Sequence, residues 1–156
     1  MSRDKEMPPL LLVYWRLLKP RVVMLLQITA VCGVIVYNLI NEDVSDKDDV
    51  VRVIEQSLVV LIGGTLTGGG AGTINMWYER ELDNEMDRTD KRPIPMGHIS
   101  PEHALTFGIF CVLLGSVILW QYGSIEAGVI AALSAVFYVL IYTVWLKPRT
   151  AQNIVI

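Results

Sequence analysis

Four oxygen-bearing side chains recur at every fourth position near the middle of the sequence: Asn75, Glu79, Asp83 and Asp87. On a helix, each step of four residues turns about 400° and rises about 6 Å, so these side chains form one stripe along one face. Like charges at that spacing destabilise a bare helix by roughly 0.2–0.5 kcal/mol per pair, whereas a bound cation reverses the sign of the interaction. Carboxylate oxygens suit Mg²⁺, which proteins usually hold together with substrate phosphates. The spacing alone leaves two interpretations open, a metal–diphosphate site and a solvated helix end.

Cationic side chains stand close to this acidic stripe in the sequence. Arg88, Lys91 and Arg92 follow it directly and could neutralise phosphate oxygens. A second basic pair, Lys19 and Arg21, precedes the first long apolar stretch. This pair fits either phosphate contacts or simple anchoring at a membrane surface.

The elements that must position these residues are four uncharged stretches, 22–41, 56–78, 104–125 and 127–146. A bilayer core of about 30 Å needs about 20 apolar residues in a helix, and each stretch is long enough. Backbone groups inside a membrane must be satisfied locally, so the stretches are predicted to be helices. We expect an all-α membrane protein with four spans, in which residues 1–21 form a separate N-terminal part with an interfacial helix over 10–18.

The distribution of charge sets the class of protein and its orientation. Of 156 residues 53% are hydrophobic and 19% charged, with the charges bunched between the spans, which excludes a disordered chain and a soluble enzyme of ordinary composition. The net charge of −3 excludes a nucleic-acid footprint. Most Lys and Arg residues fall on the side of the N-terminus and of the loop 79–103, so both are predicted to be cytoplasmic.

Six of the twelve glycines lie within residues 63–72, inside the second span. Gly64, Gly68 and Gly72 share one face of a helix. Such a stripe is typical of close helix packing. It could also provide a smooth wall beside Asn75 with room for a bulky apolar chain.

The residues of the stripe and the segment after it, Arg88-Thr-Asp-Lys-Arg92-Pro-Ile-Pro-Met-Gly97, resemble the first aspartate-rich motif of the UbiA superfamily of intramembrane prenyltransferases. Three further pieces resemble the haem-farnesylating branch of that superfamily. They are Lys19-Pro-Arg21-Val-Val, the continuation of the motif Arg80-Glu-Leu-Asp-Asn-Glu-Met-Asp-Arg-Thr, and Tyr142-Thr-Val-Trp-Leu-Lys147 together with Thr150-Ala-Gln-Asn-Ile-Val-Ile156. Glu79 departs from the pattern, because the superfamily usually has aspartate there. The carboxylate is kept but reaches one methylene further.

The resemblance implies a UbiA-type helix bundle in the cell (inner) membrane that transfers a farnesyl group from farnesyl diphosphate to a vinyl group of haem b, giving haem O. It implies Mg²⁺ as the cofactor, with the diphosphate and metal held by Asn75, Glu79 and Asp83, and by Asp87 as a weaker candidate. The following residues are then expected to contact phosphate oxygens or, for the last two, a haem propionate: Arg88, Lys91, Arg92, Lys19 and Arg21. The superfamily also has a second aspartate-rich motif, so the chain is expected to be the N-terminal part of a longer protein and inactive alone.

Two other functions stay open at this point. A UbiA-type enzyme that prenylates an aromatic acid for quinone synthesis would carry a similar first motif, and an acceptor screen separates it from a haem farnesyltransferase. A four-helix membrane module that binds lipid or a partner would need no enzyme chemistry. Mg²⁺-dependent binding of farnesyl diphosphate would argue against that module.

Overall fold

The computed structural model describes residues 8–42, 44, 46–147 and 149, and all regular structure in that part of the chain is helical. The segment 150–156, on which part of the family resemblance rests, lies outside the described residues. The elements are α1 (Leu10–Leu17), α2 (Pro20–Asn41), α3 (Lys47–Tyr78), α4 (Arg80–Glu85), α5 (Pro101–Ile118), the π-helix π1 (Leu119–Gly123), α6 (Ile125–Phe137) and the π-helix π2 (Tyr138–Leu146).

Four helical segments are long and apolar enough to cross a membrane: Pro20–Asn41, Lys47–Tyr78, Pro101–Gly123 and Ile125–Leu146. Large apolar side chains such as Leu25, Leu113 and Leu133 are mostly exposed on the outside of the bundle, as expected for a surface in contact with lipid. The predicted all-α, four-span architecture of an integral membrane protein is therefore confirmed.

Helix α3 begins at Lys47, nine residues before the predicted start of the second span. Asp46 and Asp49 form a capping box there, in which each carboxylate accepts from a backbone N–H of the other residue. Uncharged length alone does not reveal this start, because the first turns of α3 carry charges. The start of α5 is as predicted, since the Ser100 hydroxyl accepts from the His103 N–H at 3.3 Å and Pro101 occupies the first turn.

Helices α3 and α5 pack closely because glycines face each other across their contact. A Cβ atom at Gly70 would lie 2.7 Å from the carbonyl oxygen of Gly108, and one at Gly115 would lie 2.5 Å from the carbonyl oxygen of Gly63. Contacts this short exclude even a methyl group. The sequence suggested close packing for the stripe Gly64, Gly68 and Gly72, whereas the contact with α5 is made by Gly63 and Gly70 on another face. Of the stripe, only Gly64 has a very close neighbour, since a Cβ atom there would lie 2.6 Å from Nε2 of Gln27.

The helical stripe contains three residues rather than the predicted four, because the helix ends before Asp87. α3 ends at Tyr78, α4 runs only to Glu85, and Met86 adopts an extended conformation with φ −106° and ψ 120°. Asp87 follows this extended residue and is exposed. The prediction that Asp87 continues the stripe is therefore wrong, because the helix that would have aligned it has already ended.

The junction between α1 and α2 fixes a lysine at the end of the bundle. Lys19 has a left-handed backbone with φ 50° and ψ 57°, which costs a non-glycine residue about 1–3 kcal/mol. The preceding turn is held against α3, because the Thr73 hydroxyl donates to the carbonyl oxygen of Leu17 at 2.9 Å. Leu17 and Met76 are buried where the two elements meet.

Candidate functional site

Three of the four stripe residues lie together at one end of the bundle and are almost fully buried. Asn75 is 3% exposed, Glu79 5% and Asp83 3%. Glu79 stands between α3 and α4, yet the backbone hydrogen bonds from Glu79 to Asn75 (3.0 Å) and from Asp83 to Glu79 (2.8 Å) continue through the break. The helical spacing is kept, and the three side chains stay on one face.

Arg92 connects the two carboxylates through one nitrogen atom. Its Nη1 donates to Oδ2 of Asp83 at 2.6 Å and to Oδ1 at 2.8 Å, and it lies 3.9 Å from Oε2 of Glu79. The loop that carries Arg92 is tied to the same residue, since the Thr89 hydroxyl donates to the carbonyl oxygen of Asp83 at 3.2 Å. A single cationic group therefore occupies the position between the buried acids.

Asn75 is the centre of the hydrogen-bond network. Its Oδ1 accepts from Lys19 Nζ at 3.0 Å, while its Nδ2 donates to Glu79 Oε1 at 3.0 Å and to Thr143 Oγ1 at 3.1 Å. These contacts use both amide hydrogens and the oxygen, so they fix the orientation of the side chain. Asn75 joins the α1–α2 junction, α3 and the fourth span at one point.

Thr143 and Lys147 belong to this site, although the sequence analysis assigned no role to either. Lys147 forms an ion pair with Oε1 of Glu79, and Thr143 is 1% exposed. Both lie at the end of the fourth span, where π2 replaces an α-helix. The hydrogen bonds of π2 join residues five apart, from the Lys147 N–H to the Tyr142 carbonyl and from the Thr143 hydroxyl to the Tyr138 carbonyl. In the sequence, the segment 142–147 carries a family resemblance but no spacing that predicts a site.

The environment of Lys19 makes its ammonium group unusually acidic. Burial, with a further contribution from the positive charge of Arg92, lowers the pKa of Lys19 from 10.5 to about 8. The carboxylates of Glu79 and Asp83 oppose this shift, and Lys147 adds to it. The site therefore gathers three cationic side chains around two acids, an arrangement that attracts further negative charge.

An apolar cavity of about 540 Å³ extends from this site into the bundle. Lys19 and Tyr138 lie at its polar end, and α2, α3 and α6 form its walls. A Cβ atom at Gly68 would have no atom within 4 Å, and at Gly72 the nearest atom would be Cδ of Lys19 at 3.4 Å. The sequence also suggested that the glycine stripe leaves room for a bulky apolar chain. This holds at Gly68, which faces open space in the cavity.

The remaining residues that the sequence analysis selected lie outside this cluster. Arg88 and Lys91 are exposed in the loop after α4, as is Asp87. Arg21 is exposed on the first turn of α2. The structure thus brings together Asn75, Glu79, Asp83, Arg92 and Lys19, and leaves these four at the surface.

The donor set fits a metal that is bound together with a phosphate rather than a metal alone. Among the described residues, no three His, Cys, Asp or Glu side chains converge in a metal-binding group. Two carboxylates and one amide oxygen are hard ligands, and Mg²⁺ is usually held by one or two carboxylates plus substrate phosphates. Glu79, Asp83 and Asn75 offer that chemistry.

Comparison with known proteins places the sequence among prenyltransferases. Residues 48–156 match the model of the UbiA prenyltransferase family. The chain is 40% identical over 159 residues to the protoheme IX farnesyltransferase of Bartonella tribocorum, covering 100% of this chain and 47% of the relative. It is 44% identical over 148 residues to that of Rhodopseudomonas palustris, covering 92% and 42%. It is 38% identical over 143 residues to the protoheme IX farnesyltransferase of Synechocystis, an alignment that covers 92% of this chain and 42% of that relative.

The chain spans about half the length of the curated relatives it matches. No solved structure matches it significantly.

Proposed function

The chain belongs to the UbiA prenyltransferase family, and from this premise we propose that its protein transfers a farnesyl group from farnesyl diphosphate to haem b. The observation that carries the proposal is a buried pair of carboxylates, linked by one arginine nitrogen, at the mouth of an apolar cavity of about 540 Å³. The polar end suits a diphosphate with its metal, and the apolar walls suit an isoprenoid. The names of the relatives support farnesyl as the group and haem as the acceptor.

Each residue of the polar cluster has a role in this proposal. Glu79 and Asp83, oriented by Asn75, would hold Mg²⁺, which on binding neutralises diphosphate oxygens and so favours departure of the leaving group. Arg92, Lys147 and Lys19 would bind the remaining phosphate oxygens, because charge-assisted hydrogen bonds to phosphate are strong. Arg88 and Lys91, exposed in the adjacent loop, are proposed as outer phosphate contacts. Asp87 and Arg21, both exposed, are not part of the proposed set.

The chemistry follows from charge separation at the mouth of the cavity. The allylic C–O bond breaks, its electron pair leaves with the diphosphate, and the cationic side chains stabilise that developing charge. The resulting allylic cation lies among apolar walls that exclude water. The acceptor's vinyl carbon forms the new C–C bond, and water then supplies the hydroxyl group of the product while one proton is released.

We propose that the end of the bundle with the site faces the cytoplasm and that the membrane is the cell (inner) membrane. Lys19, Glu79 and Lys147 are in direct or relayed contact, so the N-terminal part, the loop after α3 and the end of π2 meet at one end. Those segments carry most of the Lys and Arg residues. By the positive-inside rule this is the cytoplasmic end. Labelling of single cysteines in the loop 79–103 of intact cells tests the orientation.

The central test removes one carboxylate from the buried pair. In the protein made from its complete gene, Asp83→Asn is expected to weaken Mg²⁺-dependent binding of farnesyl diphosphate at least about tenfold, since contacts with charged groups contribute about 1.5–3 kcal/mol. Glu81→Gln is the matched control, because Glu81 is an exposed acid of α4. Unchanged binding and diphosphate release in Asp83→Asn would exclude the proposed metal site.

A second assay distinguishes the acceptor. Radiolabelled farnesyl diphosphate is offered with haem b and, separately, with hydroxybenzoate or naphthoate. Labelled haem is the expected product. Transfer to the aromatic acids instead would assign the protein to quinone synthesis, and Mg²⁺-independent binding of anionic lipid without any transfer would favour a non-catalytic module.

A further inference from the structure

A second cavity of about 540 Å³ lies at the opposite end of the bundle from the polar cluster. Its lining includes Tyr37, Val60, Tyr122 and Ala127. Ala30 lines both this cavity and the one beside Lys19. We call them the outer and the inner cavity, and they adjoin at Ala30.

The two cavities follow the same three helices in the same order along the bundle. On α3 the lining passes from Gly72 and Gly68 in the inner cavity to Val60 in the outer one, and on α6 it passes from Ala131 to Ala127. Contacts at both ends show which residues of α2 and α3 lie at the same height along the bundle. Lys19 adjoins Gly72, and Asn38 Nδ2 donates to Gln56 Oε1 at 2.8 Å. The two cavities thus lie one after the other along the same three helices and share Ala30 in their linings.

The length of each part can be compared with an isoprenoid chain. At 1.5 Å per residue, α2 rises about 16 Å between Lys19 and Ala30 and about 12 Å more to Asn38. An extended chain advances about 3.5 Å for every three bonds, so the twelve-carbon main chain of a farnesyl group covers about 13 Å and the sixteen-carbon main chain of a geranylgeranyl group about 18 Å. On these lengths a farnesyl tail ends about 3 Å before Ala30, whereas the end of a fourth isoprene unit passes Ala30 by about 2 Å.

Small side chains of α2 and α6 flank this passage, and on its α3 side the amide of Gln27 lies over Gly64. Ala30 has one methyl group, and Ala131 and Ala127 flank the passage on α6. In the outer cavity the amide hydrogens of Asn38 are already satisfied, because Nδ2 donates to Gln56 Oε1 and to the Val34 carbonyl oxygen at 2.9 Å. An apolar tail entering there leaves no amide hydrogen of Asn38 without a partner.

From this geometry we propose that Ala30 limits the isoprenoid length of the substrate, and that the protein binds geranylgeranyl diphosphate as well as farnesyl diphosphate, with the end of the fourth isoprene unit passing Ala30 into the outer cavity. The inference rests on the proposed function, since it assumes that the diphosphate is held at the polar cluster. A bulkier side chain at position 30 closes the passage without reaching the first three isoprene units.

The experiment compares Mg²⁺-dependent binding of geranyl, farnesyl and geranylgeranyl diphosphate to the full-length protein and to Ala30→Phe. The unmodified protein is expected to bind the farnesyl and geranylgeranyl compounds within a few-fold of each other. Ala30→Phe is expected to lose affinity for the geranylgeranyl compound by at least about tenfold, because the fourth unit loses its apolar contacts, while farnesyl binding changes by less than about threefold. If Ala30→Phe does not fold, Ala30→Leu introduces a smaller side chain that is expected to weaken binding of the geranylgeranyl compound in the same direction.

Cys32→Phe is the matched control, because Cys32 is exposed on the same helix two residues further on. A second readout uses prenyl diphosphates with a photoreactive group at the end of the tail. The farnesyl-length probe should label peptides of the inner cavity, and the geranylgeranyl-length probe should label the peptide that contains Tyr122 and Ala127.

The outcomes separate this inference from the proposed function. If farnesyl diphosphate binds but the geranylgeranyl compound is rejected, or if Ala30→Phe weakens both equally, the role of Ala30 is excluded and the proposed function stands. If none of the three compounds binds in a Mg²⁺-dependent manner, both are overturned.

Discussion

The Nδ2 atom of Asn75 donates a hydrogen bond of 3.1 Å to Oγ1 of Thr143, a residue 68 positions later in the chain. The contact is buried on both sides and joins the second span to the fourth. Thr143 in turn donates to the carbonyl oxygen of Tyr138 at 3.0 Å. One threonine therefore connects the π-helical end of the fourth span to the residue that orients Glu79.

Thr143→Val tests this connection. The change keeps the size of the side chain but leaves one buried amide hydrogen of Asn75 without a partner, so the free energy of unfolding should fall by about 1–3 kcal/mol. Thermal unfolding followed by tryptophan fluorescence in detergent measures the change. Thr106→Val is the control, because the Thr106 hydroxyl makes only a local bond to Glu102 on an exposed surface. Equal effects in the two variants would show that the contact with Asn75 contributes nothing.

Arg92→Lys and Arg92→Gln are predicted to differ in a graded way. Because one arginine nitrogen makes all the contacts with Asp83 and Glu79, a lysine ammonium can replace it in part, whereas glutamine leaves a buried carboxylate without its cation. Affinity for farnesyl diphosphate should fall at least about tenfold in the glutamine variant and less in the lysine variant. Arg80→Gln is the control, since Arg80 lies over Trp77 and pairs with the exposed Glu81. The reverse order of the two Arg92 variants would contradict the role of charge.

Glu79→Asp should be tolerated better than Glu79→Gln. Aspartate keeps the negative charge and is the residue that the superfamily usually has there, although its shorter side chain moves away from Lys147. Glutamine removes the charge that pairs with Lys147 and binds the metal in our proposal. Titration of Mg²⁺ in the presence of farnesyl diphosphate, with chelator as the metal-free reference, is expected to show weakened metal dependence only for glutamine. Equal loss in both would mean that side-chain length, not charge, matters.

Gly70→Ala is predicted to destabilise the fold, whereas Gly68→Ala is predicted to leave its stability unchanged. A Cβ atom at position 70 would lie 2.7 Å from the Gly108 carbonyl oxygen, so α3 and α5 must move apart, at a cost of about 1–3 kcal/mol. At position 68 a Cβ atom meets nothing within 4 Å and enters the inner cavity. Thermal stability should therefore fall for Gly70→Ala and be kept in Gly68→Ala. Loss of stability in both would mean that the cavity wall is closed in solution.

The stability of the ligand-free protein should depend on pH through Lys19. Because its pKa is lowered from 10.5 to about 8, the unfolded chain holds a proton between these pH values that the folded protein has released. Stability therefore rises with pH in that interval. The melting temperature of the unmodified protein, relative to that of Lys19→Met, should increase between about pH 8 and about pH 10. Lys91→Met, which removes an exposed lysine, should show no such trend, and a parallel trend in both variants would refute the assignment to Lys19.

The sequence predicted the spans well because uncharged length is a direct physical requirement of a bilayer. It also predicted the cap at Ser100, where the hydroxyl and the following proline act locally. The end of α4 at Glu85 could not be predicted, since the charged segment has the composition of a continuing helix. The loop that follows is fixed instead by contacts over a distance, from Thr89 and Arg92 to Asp83.

The site itself was predicted only in part for the same reason. Asn75, Glu79 and Asp83 share a helical face that local spacing reveals. Lys147 comes from another helix, and the π-helical geometry that brings Thr143 inward leaves no signal in a uniformly apolar segment. Contacts between distant spans decide which polar residues complete the cluster.

The ion pair between Lys147 and Glu79 has a consequence for how the protein is made. Glu79 leaves the ribosome 68 residues before its partner, so during synthesis the acid at the end of the second span has no partner until the fourth span inserts. The ion pair can form only once Lys147 has been synthesised and its span has inserted. Nascent chains stalled before Lys147 are therefore expected to be cleaved by proteases more readily than chains stalled after it.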